Sequence, residues 1–211
     1  MNDRHNSVFW ATIIRSLMAL VIGILTSVQV SLAQVRPNDY KGIGSVTFYG
    51  IVYNGTKVIA ADRGYQAYME LFSATNDYYA NHEDELAKDI KKRFKLDLAG
   101  CDYTFANKRN SDIDELSLFS YKNHSESGNY QVVQTKLNAM RIPTGSGYGM
   151  VIFSYRIDNA DKEYKYDIVF FNRQSMKVIA HANSECERTA KNKEEEFVLS
   201  VSDAIRSYDY N

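Results

Sequence analysis

SVTFYGIVYNGTKVIA, residues 45–60, decides how the rest of the chain is read. From Ser45 to Tyr53 it is β-branched and aromatic, which is the composition of a strand. The run stops at Asn54-Gly55, a pair that favours a tight turn with positive φ. KVIA can then return as a short strand.

Downstream, Tyr65, Tyr68, Met69 and Phe72 recur at helical spacing, and Leu86, Ile90 and Phe94 follow at intervals of four. These predict two helices, or one broken near Asn81. LDLAGCDYTF, residues 96–105, reads as a strand, and residues 107–129 as a mostly irregular connection with one short element around Leu116 to Phe119. Four later runs, YQVVQTKL, GMVIFSYRI, YKYDIVFFN and MKVIAHA, are bounded by Gly, Asn, Asp or Ser and read as strands. In YKYDIVFFN, Tyr164, Tyr166, Ile168 and Phe170 share one face while Lys165 and Asp167 open the other, a half-buried antiparallel pattern. The links DNADKE and NRQS are short enough for hairpins. At the end, Asn192 with Glu195 three positions on has the form of a capping box. Phe197, Val198, Val201, Ile205 and Tyr208 then form an apolar stripe. The expected fold is α+β: a mainly antiparallel sheet, two helices after the first strand, and a C-terminal helix packed on the sheet.

Before this domain, Arg4 and Arg15 precede the uncharged run Ser16 to Ala33, which ends in Ser31-Leu32-Ala33. A basic start, an apolar middle and small residues before a cut are the parts a signal peptidase needs. Residues 1–33 therefore read as a signal peptide, and residues 34–211 as one globular α+β domain with no membrane span after cleavage. Asp3, Arg4 and Arg15 leave with the signal, so 23 of the 25 basic and 25 of the 26 acidic residues remain. So even a balance supplies no basic field for phosphate backbones, which excludes the usual electrostatics of nucleic-acid binding.

Export brings Cys101 and Cys186 into an oxidising compartment. They can close a disulfide, or remain as two buried thiols, since Cys101 alternates in phase with Ala99, Tyr103 and Phe105. His181, Glu185 and Cys186 offer nitrogen, oxygen and sulfur within a few residues, the one cluster from which a hydrolase or metal-dependent site could be built. A zinc site needs a second cluster, for which only Cys101 with Asp102, or His124, is available. His82-Glu83-Asp84 reads as a helix start. GSGYG, residues 145–149, leads into a strand where a phosphate loop would lead into a helix. There is no G-x-S-x-G elbow. No catalytic, cofactor-binding or metal-ligating residue is nominated, and no cofactor is expected.

VTFYGIVYNGTKVIAAD, YMELFSATNDYYANHEDELAKDIKKRF, YGMVIFSYRI and YDIVFFNRQSMKVI together resemble a group of secreted proteins of Bacteroidetes-type bacteria that are exported as single domains and have no assigned function. The resemblance implies a periplasmic or secreted location and carries over no functional residue. The expected role is a non-enzymatic binding or assembly module whose partner is another envelope protein or a surface component. The second reading is an enzyme centred on His181, Glu185 and Cys186.

Overall fold

Asn54 and Gly55 do make a turn, with Gly55 at φ +93° and the Thr56 N–H donating to the Tyr53 carbonyl at 2.9 Å. The chain does not double back there. In the computed structural model, which describes residues 42–120 and 128–208, strand β1 (Ser45–Val52) and strand β2 (Lys57–Ile59) run end to end along one side of the long strand β5 (Tyr148–Asp158). Both pair with it in parallel, Thr47 opposite Gly149 and Lys57 opposite Arg156. The expected cut after Ala33, and His124, lie outside the described residues.

Between β2 and β5 the chain forms helices α1 (Tyr65–Asn81) and α2 (Glu83–Phe94), strand β3 (Asp97–Cys101), helices α3 (Thr104–Ser111) and α4 (Glu115–Leu118), strand β4 (Phe119–Ser120) and helix α5 (Tyr130–Ala139). After β5 come strands β6 (Glu163–Asn172) and β7 (Lys177–Glu187), then helix α6 (Lys193–Ser207). β3 lies parallel to β1, and β4 parallel to β2. On its other side β5 pairs antiparallel with β6, and β6 with β7.

The expectation of an α+β fold with a mainly antiparallel sheet is overturned. Four of the six strand pairings are parallel, and the path β3-β1-β5-β2-β4 is parallel throughout, with helices packed on both faces. This is an α/β arrangement. Only the β5-β6-β7 meander keeps the antiparallel pattern read from the hairpin links. The physical cause is burial on both sides. One face, including Phe48, Ile51, Met150, Ile152, Ile168 and Phe170, packs under α1, α2 and α6. The other, including Tyr49, Val52, Val151, Phe153, Val169 and Phe171, packs under α3 and α5. Continuous apolar runs such as MVIF are the mark of a doubly covered strand, which parallel crossovers produce.

YQVVQTKL is α5 and not a strand. Asn129 caps it by accepting the Val132 N–H at 3.0 Å, and Val133 and Leu137, four apart, are fully buried. LDLAGCDYTF is a strand only as far as Cys101, and the polar stretch after it holds α3 and α4. In β1 the alternation slips at Gly50, whose φ is +84°. The ladder to β5 shifts between Phe48 and Ile51. A Cβ there would sit 2.9 Å from the Cβ of Ala106, so glycine is what lets α3 close on the bulge.

Candidate interaction edge

β7 is the outermost strand on the meander side. It is eleven residues long, and among the described residues no strand pairs with its outer side. The Arg188 N–H donates to the Lys162 carbonyl at 3.0 Å, which makes that pair a hydrogen-bonded rung. Rungs alternate along an antiparallel ladder, so Cys186, Ser184, Ala182 and Ala180 turn their backbones toward β6. The N–H and C=O groups of His181, Asn183, Glu185 and Glu187 therefore point outward. At the start of the strand the edge is closed: the Gln134 side chain of α5 accepts the Val178 N–H at 2.9 Å and donates to the Met176 carbonyl at 2.8 Å.

All three residues of the sequence cluster lie on this strand, and the strand separates them. His181 stands opposite Val169 and Glu185 opposite Lys165, on the α5 face. Four residues of extended chain put them about 13 Å apart. Cys186 faces the other way and donates its thiol to the Ser200 carbonyl at 3.3 Å. Burial pushes that thiol up to about 12, so it is neither a ready nucleophile nor a ready ligand. Glu185 is held by Lys165 at 2.6 Å, and Lys165 also reaches Glu163 at 3.2 Å. Burial alone lowers the basicity of His181, whose Nδ1 has no hydrogen-bond partner among the described residues. Among the described residues no three His, Cys, Asp or Glu side chains gather so as to hold a metal ion.

Cys101 is equally remote. It lies on β3, with β1, β5 and β6 between it and β7. At about 4.8 Å per strand the lateral separation alone is roughly 19 Å, against a Cα limit near 7 Å for a disulfide. Both cysteines are free thiols in the structure. His82 serves as the N-cap position of α2 and stacks on Tyr78 at 4.1 Å, with three acids in the first turn behind it.

A second polar group, which the sequence did not signal, gathers at the C-terminal end of β2. Tyr68 Oη donates to Asp62 at 2.7 Å and accepts from Asn159 at 2.8 Å. Lys193 Nζ donates to Asn159 at 2.8 Å and to Glu196 at 2.7 Å, and Glu196 also accepts from Tyr164 Oη. A cleft of about 530 Å³ lined by Val58, Ile59, Arg63 and Phe119 lies at the same end of β2. Ligands of open α/β sheets settle beyond the C-terminal ends of the strands. Here, however, the donors and acceptors satisfy one another, and the network ties α6 to α1 and to the β5–β6 turn. Only the tertiary fold brings Asp62, Asn159 and Lys193 together, so no spacing in the chain announces them.

No family model matches the chain, and no curated protein does either. Among solved structures, the C-terminal domain of LpoB from Salmonella enterica aligns with 10% identity over 74% of this chain and 97% of that domain, with a TM-score of 0.25. A score of that size does not amount to a shared fold, and nothing about this chain is drawn from it. Among the described residues no helix is long and apolar enough to cross a membrane.

Proposed function

We propose that the chain is an exported binding module of the envelope or the secreted fraction, and that it takes an extended segment of a partner protein along the outer edge of β7. The observation that carries this reading is the row of backbone groups from His181 to Glu187, which no strand among the described residues pairs, on a strand backed by β6. Strand addition draws affinity from main-chain hydrogen bonds and specificity from alternate side chains. Glu185 and Glu187 belong to the open row, and the Glu185 side chain stays 56% exposed beside Lys165, so the fitting segment carries basic residues at alternate positions. Export rests on the basic start, the uncharged run and Ser31-Leu32-Ala33, with the mature chain beginning at Gln34. The dispersal of His181, Glu185 and Cys186 along one strand favours binding over catalysis at that cluster.

Selection of displayed peptides on the mature chain tests the edge. The expected winners are β-prone peptides with alternating Lys or Arg. Asn183→Pro removes an outward N–H without breaking a rung to β6, so it should abolish their binding while leaving the urea midpoint close to wild type. Peptides that bind Asn183→Pro as well as wild type, or a selection that enriches nothing, would overturn the assignment.

A further inference from the structure

Asp167 lies in the middle of β6, between Phe153 of β5 and Asn183 of β7. It is fully buried, and among the described residues neither of its carboxyl oxygens has a hydrogen-bond partner. A buried carboxyl in that condition is expensive unless it is protonated. Its roof is the start of α5. A Cβ built on Gly128 would lie 2.3 Å from Asp167 Oδ2 and 2.7 Å from Val133 Cγ2, so only glycine lets this segment close over the acid.

The groups around it do not neutralise an anion there. From α5, Lys136 opposes the charge at a distance. From β5, Tyr155 feels Asp167 as a like-signed neighbour, and its hydroxyl is raised by burial first and by that charge second. From β7, Asn183 is neutral, His181 is kept below its ordinary value by burial, and Glu185 is negative and already bonded to Lys165. On β6 itself, Lys165 is taken up by Glu163 and Glu185. Burial accordingly pushes the Asp167 carboxyl up to about 7.

We propose that α5 and the Gly128 segment before it form a pH-gated cover, closed over the neutral acid of Asp167 and lifted from the sheet when that acid ionises. The direction follows from linkage. Between the ordinary carboxyl range and about 7 the closed state holds a proton that the opened state has released, so raising the pH favours opening. Lifting the first turns of α5 also withdraws Gln134 from the Val178 N–H, lengthening the open edge of β7.

Amide hydrogen exchange of residues 130–139, corrected for intrinsic rates, tests this on the full mature chain at pH 5.5 and 8.5. Protection of α5 should fall roughly tenfold or more across that interval, since one unit of differential proton affinity is a factor of ten. Protection of α6 should not fall with it. Asp167→Asn keeps the shape without the charge and should hold α5 closed at both pH values. Gly128→Ala pushes a methyl into the carboxyl and should leave α5 poorly protected even at pH 5.5. Equal α5 protection at the two pH values in wild type, the same fall in Asp167→Asn, or full protection in Gly128→Ala at pH 5.5 would each overturn the proposal. None of these outcomes depends on whether a peptide adds to β7.

Discussion

Beyond Phe48 no strand among the described residues lies beside the outer side of β1, and two side-chain amides take that place. Asn76 of α1 accepts the Ile51 N–H at 2.9 Å and donates to the Ile51 carbonyl at 3.0 Å. Asn110 of α3 donates to the same carbonyl at 3.0 Å and accepts the Tyr53 N–H at 2.7 Å. Both asparagines are buried, and a buried backbone group left without a partner costs about 1–3 kcal/mol. Asn76→Ala should therefore lower stability by about 2 kcal/mol in urea melts. Asn107→Ala, at an exposed neighbour that only accepts from Asn76, should cost less than about 1 kcal/mol. Equal midpoints for the two variants would show that the amides do not support the strand. Arg156 and Asp158 form a buried ion pair, 2.6 Å apart. Burial raises the Asp158 carboxyl, but the guanidinium and the amides of Asp161 and Ala160 outweigh it and hold it below its usual range.

The closing helix is specified by residues that lie close together in the chain. Asn192 accepts the Glu195 N–H at 2.8 Å, and Phe197, Val201, Ile205 and Tyr208 are all fully buried on the face that contains Ile168 and Phe170. Phe94 meets Tyr208 edge-on at 4.9 Å, which locks α2 to the end of α6. Ile205→Ala should cost roughly 2–5 kcal/mol through lost burial and the cavity left behind, and a chain ending at Ala190 should not fold. Unchanged urea midpoints in both would make α6 a detachable tail. In helix α5 local preference and tertiary packing disagree. Val132-Val133 has the local preference of a strand, while the burial of Val133 and Leu137 follows a helical interval and Asn129 supplies the cap. Tertiary packing on Phe153 and Val169 resolves that conflict in favour of the helix.

For the molecule as a whole, the sheet places its two cysteines, both half-buried, on opposite outer strands. Denatured without reductant, the purified chain should take up two equivalents of maleimide. Uptake of none would mean that the thiols had joined. Two independent thiols and one linked pair were equally compatible with the spacing of Cys101 and Cys186, because a disulfide depends on Cα separation and not on the number of residues between. Local chemistry was legible in the chain: the β composition of SVTFYGIVY, the turn at Asn54-Gly55, the helices either side of His82, the meander links and the cap at Asn192 all depend on residues a few positions apart. The direction in which strands pair was not. Ser45 meets Asp97 and Thr47 meets Gly149, partners some 50 and 100 positions away, and that choice is made by covering both faces of one sheet at once. The same closure buries Asp167 on a face that alternation alone would leave in water, and it strings His181, Glu185 and Cys186 along an edge where they cannot converge. Sequence alone therefore determined most of the local elements of this protein. The parallel order of the strands, the buried acid and the open edge arise only when distant segments compete for the same apolar surface.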